Sequence, residues 1–135
     1  MIKLSERKWE YEQDLFVGKH RGYKYIIKRM DNLGHLCGYV RLTKNDELFG
    51  VNIYDNEIPL QVHGGITYGS PGNTLDYSSD KRYFYIGFDT AHGGDVSPCM
   101  VDFLKEMPSY GTYKDLTYVR KNCKKLINQI KDNRK

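Results

Sequence analysis

The last quarter of the chain limits the fold most. Leu116, Val119, Cys123, Leu126, Ile127 and Ile130 recur at three- and four-residue steps, which sets them on one face of an α-helix. Most lysines of the same stretch fall on the other side. Such a helix has to bury its apolar face against another element. It is expected over 112–133, with Thr112 and Asp115 at capping-box spacing and Asp standing where Glu or Gln is usual.

The surface offered to that face is a sheet. The runs "YKYIIKRM" (23–30) and "HLCGYVRL" (35–42) flank "DNLG" (31–34), a β-hairpin pattern with turn chemistry between the strands. "RYFYIGFD" (82–89), aromatic and β-branched, reads as a central strand. "PLQVHGGITY" (59–68) reads as strand, glycine break, strand. Residues 43–57 are loop-like around "LFGVNIY". Residues 69–81, "GSPGNTLDYSSDK", are the most loop-like stretch and suit a lid. "PCMVDFLKEM" (98–107) suits a short helix, with Ser97 as N-cap and Pro98 at the first position. Residues 1–20 form an N-terminal arm, and 3–15 are expected as a short helix or irregular chain anchored by Trp9 and Tyr11. Strands come first and helices last. The expectation is an α+β fold: one small domain over 1–135, a mainly antiparallel sheet, and the C-terminal amphipathic helix packed on it.

Composition narrows the function classes. A charged fraction of 28% and mean hydropathy of -0.68 leave no apolar run near the roughly 20 residues of a membrane span. The first residues lack an apolar signal region, so a cytoplasmic protein is expected. Cys37, Cys99 and Cys123 are odd in number and form no CxxC pair, which argues against a disulfide framework or a cysteine zinc site. Of the net charge of +4, residues 112–135 carry eight Lys/Arg against two Asp. A basic helix of this kind suits an anionic partner or a plain solvated face. The twelve tyrosines are strand residues with a polar handle, or platforms for bases.

Two segments carry the candidate chemistry. In "HGGIT", His63 and Thr67 flank Gly64 and Gly65; in "DTAHGGD", Asp89, His92 and Asp95 stand at three-residue steps around Gly93 and Gly94. Each alone is compatible with turn chemistry. Together they offer two imidazoles and two carboxylates beside glycine turns. One His can act as general base and the other as general acid in phosphodiester cleavage, provided the rings lie within about 8 Å across an open pocket. Amides of the four glycines can hold phosphate oxygens. Arg82, or lysines of the last helix, can neutralise charge, and Tyr68, Tyr83, Tyr85 or Phe88 can stack on a base. A divalent metal on the His/Asp group is the weaker alternative, because no known ligand spacing is reproduced; no other cofactor is expected. His20 and His35 lack such neighbours and read as surface or hairpin residues. Walker A, GxGxxG and GxSxG motifs are absent, against ATP hydrolysis, dinucleotide oxidoreduction and α/β-hydrolase chemistry.

In "HGGITY", "YFYIGFD", "AHGGD" and "YKDLTYV" (113–119) the chain resembles a family of small proteins, mostly uncharacterised, encoded by tailed phages and prophages of bacteria. The resemblance covers roughly residues 36–130. Thr90 stands where Cys is frequent, which speaks against a cysteine acting there. The resemblance implies a counter-defence protein acting on a nucleotide immune signal, a cyclic dinucleotide or a cyclic ADP-ribose derivative, in the infected cell. Three readings follow: an enzyme that opens the signal; a homo-oligomeric sponge that only sequesters it; and a host-protein inhibitor or phage structural component. No nucleic acid duplex and no membrane enter as partners.

Overall fold

In the computed structural model, residues 7–71, 82–101 and 111–132 are described. The "DNLG" turn joins strands β2 (Tyr23–Arg29) and β3 (Leu36–Leu42) into the expected hairpin. The arm differs from expectation. A single 3-10 turn at Lys8–Glu10 leads into a further strand, β1 (Leu15–His20), which pairs antiparallel with β2 from Leu15 opposite Lys28 to His20 opposite Tyr23. "LFVGKH" alternates too weakly to signal a strand. The unpaired edge of β2 supplies the ladder that makes it one.

Strands β4 (Tyr68–Pro71) and β5 (Phe84–Asp89) complete a five-stranded antiparallel sheet of order β1-β2-β3-β5-β4. The aromatic run thus forms an interior strand. Residues 59–62 do not form the strand expected of them. The chain reaches the sheet only at β4, and Gly69–Pro71, read as loop, belong to it. The rest of the supposed lid, 72–81, lies outside the described residues. Two short strands, β6 (Gly94–Asp95) and β7 (Gly111–Thr112), pair in parallel. Of the expected helix at 98–107, the described start is a 3-10 turn, Pro98–Met100, to which Ser97 makes no side-chain cap; residues 102–107 lie outside the described residues.

The C-terminal helix α1 (Leu116–Asp132) lies across β3 and β2. It starts later than expected. Asp115, not Thr112, is its N-cap, its Oδ1 accepting the Tyr118 amide at 2.8 Å, while Glu12 Oε2 accepts the Leu116 amide at 2.6 Å. Val119, Cys123, Leu126, Ile127 and Ile130 are buried against Tyr25, Ile27, Leu36, Val40, Ile86 and Phe88. Each fully buried aliphatic of this set contributes about 1.5–3 kcal/mol. Gly38 makes the close approach possible: a Cβ there would stand 2.7 Å from the Phe88 ring and 2.8 Å from Cys123 Sγ. The opposite sheet face holds a smaller cluster of Ile26, Cys37, Tyr39 and Tyr85, joined by Met30 and Tyr68. Among the described residues no helix is long and apolar enough to cross a membrane.

Candidate active site

The two glycine segments meet at the end of the sheet where β5 finishes and α1 begins. Val62–Gly65 is a tight turn closed by the Gly65 amide on the Val62 carbonyl at 2.9 Å, with Gly64 at φ 70. Positive φ at the third position is a glycine requirement of such turns. The His63 amide donates to Asn122 Oδ1 of α1 at 3.1 Å, which docks the turn on the helix. The second segment is folded on itself: Asp89 Oδ1 accepts the Ala91 amide at 3.0 Å and the His92 carbonyl accepts the Asp95 amide at 2.9 Å. Thr90 is buried and donates to the Leu36 carbonyl at 2.8 Å, so its hydroxyl ties the loop to β3.

The rings of His63 and His92 stand 5.9 Å apart between centroids, and their surroundings differ. His63 is engaged at both nitrogens, Nε2 with Asp95 Oδ2 at 2.8 Å and Nδ1 with the Tyr118 hydroxyl at 2.8 Å. Asp95 also accepts the His92 amide at 3.0 Å, and its other oxygen faces Lys114 Nζ at 3.2 Å. Burial alone would raise the Asp95 carboxyl. The hydrogen bonds from His63, the His92 amide and Lys114 outweigh it and hold the group below the ordinary carboxylate value. A carboxylate only accepts, so in a neutral imidazole Nε2 carries the proton and Nδ1 accepts the Tyr118 O–H. The result is a chain, Tyr118 to His63 to Asp95.

His92 belongs to a second, more open chain. Its Nε2 lies 3.0 Å from Asp89 Oδ1 and 3.2 Å from the Asp89 carbonyl, and Thr67 Oγ1 donates to Asp89 Oδ2 at 3.0 Å. Its side chain is 34% exposed, against 18% for His63, and among the described residues Nδ1 has no partner. The ring rests on the glycine turn: a Cβ at Gly64 would come within 2.2 Å of His92 Nε2. Gly64 therefore serves close approach of a side chain. The Gly65 amide is held by the turn, while Gly93 and Gly94 are exposed beside His92.

Three expected ligand-binding residues do not join this site. Arg82 precedes β5, seven residues and about 20 Å of strand from Asp89; its guanidinium lies near the Tyr83 ring at the opposite end. Tyr85 is fully enclosed, and Tyr68 packs edge-on to Tyr39 at 5.0 Å on the face away from α1. Strand alternation, invisible until the register is known, turned both rings away from α1. His35 belongs to the β2–β3 hairpin, as one of its two expected places, but is buried there and not at the surface; its Nδ1 has no hydrogen-bond partner among the described residues, and burial pushes the imidazole below its ordinary value. Conversely, Lys114, Tyr118 and Asn122 join the site unforeseen as individual residues. The first two lie in "YKDLTYV", whose spacing held the signal. Among the described residues no three His, Cys, Asp or Glu side chains converge as a metal's ligand set.

Compared with protein-family models, curated proteins and solved structures, the chain matches none.

Proposed function

We propose that the protein hydrolyses a phosphodiester bond in a cyclic nucleotide signal, as a phage-type counter-defence enzyme. The observation that carries this reading is the pair of imidazoles 5.9 Å apart, one open at Nδ1 and one relayed to a hydroxyl. His92, oriented by Asp89 and Thr67, is the general base: Nδ1 takes a proton from water as its oxygen attacks phosphorus. For the acid step His63 acts as an imidazolium held by Asp95: its Nδ1–H passes a proton to the Tyr118 oxygen as the Tyr118 hydroxyl gives its own proton to the departing ester oxygen, which leaves His63 neutral. One P–O bond forms and one breaks, and no redox partner is needed. The nucleotide substrate class comes from the motif resemblance.

A second reading, sequestration without cleavage, also has an observation in its favour. Lys114, the cation that these loops bring to the site, is turned on Asp95 at 3.2 Å and leaves the space by His92 without that counter-charge.

One experiment separates them. The purified protein is incubated with cyclic dinucleotides and cyclic ADP-ribose compounds, denatured, and the nucleotides are resolved by chromatography. Altered nucleotide, lost in His92→Ala and slowed at least tenfold in Tyr118→Phe, supports the enzyme. Intact nucleotide released by heat supports sequestration. Recovery of no nucleotide across the panel would discard both.

A further inference from the structure

The opposite end of the sheet carries an unassigned feature. A cleft of about 310 Å³ opens there, lined among others by Arg21, Lys24, Arg41, Asp46 and Lys131. Tyr118 and Lys131 lie about 20 Å apart along α1, so this cleft is remote from the histidine pair.

Its charge is concentrated by strand register. Lys19 pairs directly with Lys24 across β1 and β2. Tyr25 pairs with Val40 across β2 and β3, so the next rung sets Lys24 opposite Arg41. Three cations thus lie in one row across three strands. Like charges directly opposite each other destabilise a sheet. Among the described residues no carboxylate forms an ion pair with Lys19, Lys24 or Arg41. Arg41 stacks its guanidinium 4.0 Å over the Tyr83 ring, which holds the group in place and leaves its N–H edges available.

The cleft walls are fixed. Arg21 adopts φ 50, the one positive φ of a non-glycine among the described residues. Its guanidinium donates to Asn128 and Asp132 of α1, and its carbonyl accepts Lys131 Nζ at 3.1 Å. That grip ties the β1–β2 turn to the end of the helix. Asp46, the one acid of the lining among the described residues, is 5% exposed and is held by the Tyr23 hydroxyl and the Thr43 amide. Those donors are neutral and leave Asp46 its charge, so among the described residues the lining sets four cations, Arg21, Lys24, Arg41 and Lys131, against one carboxylate.

We propose that this cleft binds a small phosphate-bearing ligand through Lys24 and Arg41, at the sheet end whose helix side Lys131 lines. An anion placed there removes the repulsion that the register builds in. The cleft is concave and near the lower end of ligand pockets, ~300–1,000 Å³, so it suits a compact oligophosphate better than a polynucleotide strand. The inference does not rest on the reading of the histidine site.

The test is calorimetric titration of the full-length protein with inorganic pyrophosphate at low and moderate salt. Expected are one-to-one binding that weakens as salt rises, and a melting temperature that climbs with pyrophosphate. Lys24→Gln with Arg41→Gln is expected to weaken binding at least tenfold. Lys125→Gln, an exposed lysine elsewhere on α1, should leave it unchanged. Because Arg41 also packs on Tyr83, Lys24→Gln alone is measured too, and should weaken binding about threefold with an unaltered circular dichroism spectrum. Absence of pyrophosphate binding overturns the proposal, as does equal loss in Lys125→Gln. Tight binding of a short single-stranded oligonucleotide without pyrophosphate binding overturns it in favour of a polynucleotide surface.

Discussion

Nε2 of His63 lies 2.8 Å from Oδ2 of Asp95, a carboxylate whose side chain is only 1% exposed. This contact fastens the first glycine segment to the second. Asp95 further binds the His92 amide and Lys114, so three separate stretches of chain converge on one buried charge.

Asp95→Asn should therefore act on stability before chemistry. It keeps the shape but removes the charge that His63 and Lys114 face. Removing one partner of such a buried network costs about 3 kcal/mol. Urea unfolding checks this. A double-mutant cycle with His63→Gln should show coupling of about 1 kcal/mol or more. Additive losses would mean that the contact is not energetically connected.

Acid should weaken the fold in two stages. Burial pushes the His35 imidazole below its ordinary 6.5, partly opposed by Asp89 and Asp95 and reinforced by His92. A base with a lowered folded value refuses a proton that the unfolded chain accepts. Stability is then full above pH 6.5 and declines as pH falls towards the folded value. Asp95 and Asp115 are held below 3.8. Their contribution is present above 3.8 and is lost as pH falls through the folded values. Urea midpoints measured from pH 8 to 3 should show both limbs, and His35→Phe should flatten the upper one. An unchanged upper limb in that variant would assign it to another group.

Gly64→Ala and Gly65→Ala should differ sharply. Both residues have positive φ, 70 and 81, so each substitution incurs about 1 kcal/mol of backbone strain. Only at Gly64 does the new methyl collide with His92, whereas Gly65 has open space. Gly64→Ala should cost at least twice as much in thermal unfolding and should shift the His92 ring resonances. Equal effects would contradict the stacked position of that ring.

At the helix start, Asp115→Ala should destabilise by about 1 kcal/mol, the usual loss of an N-cap. Thr112→Ala, at the other residue of the capping-box spacing, should cost less, because the Tyr118 amide is served by Asp115. Denaturant midpoints of the two variants decide the order, and a larger loss at Thr112 would move the cap.

The sequence alone determined whatever depends on local periodicity. The apolar stripe from Leu116 to Ile130 dictates α1 and its buried face, since 3.6-residue spacing allows no other arrangement to cover those side chains. The turn at 31–34 dictates the β2–β3 hairpin for a similarly local reason. Pairing the two glycine segments was also legible, because chemical groups beside glycine turns repeat within thirty residues. Tertiary structure decided the rest. Whether "LFVGKH" became strand depended on the exposed ladder of β2, and the direction of Tyr68 and Tyr85 depended on strand register. The distinct environments of His63 and His92 arise from Tyr118, Asn122 and Lys114. Those residues lie far along the chain and come near only when α1 docks on the sheet. Spacing along a chain reports which groups are available; only the packing of α1 on β2 and β3 determines which of their nitrogens remain open.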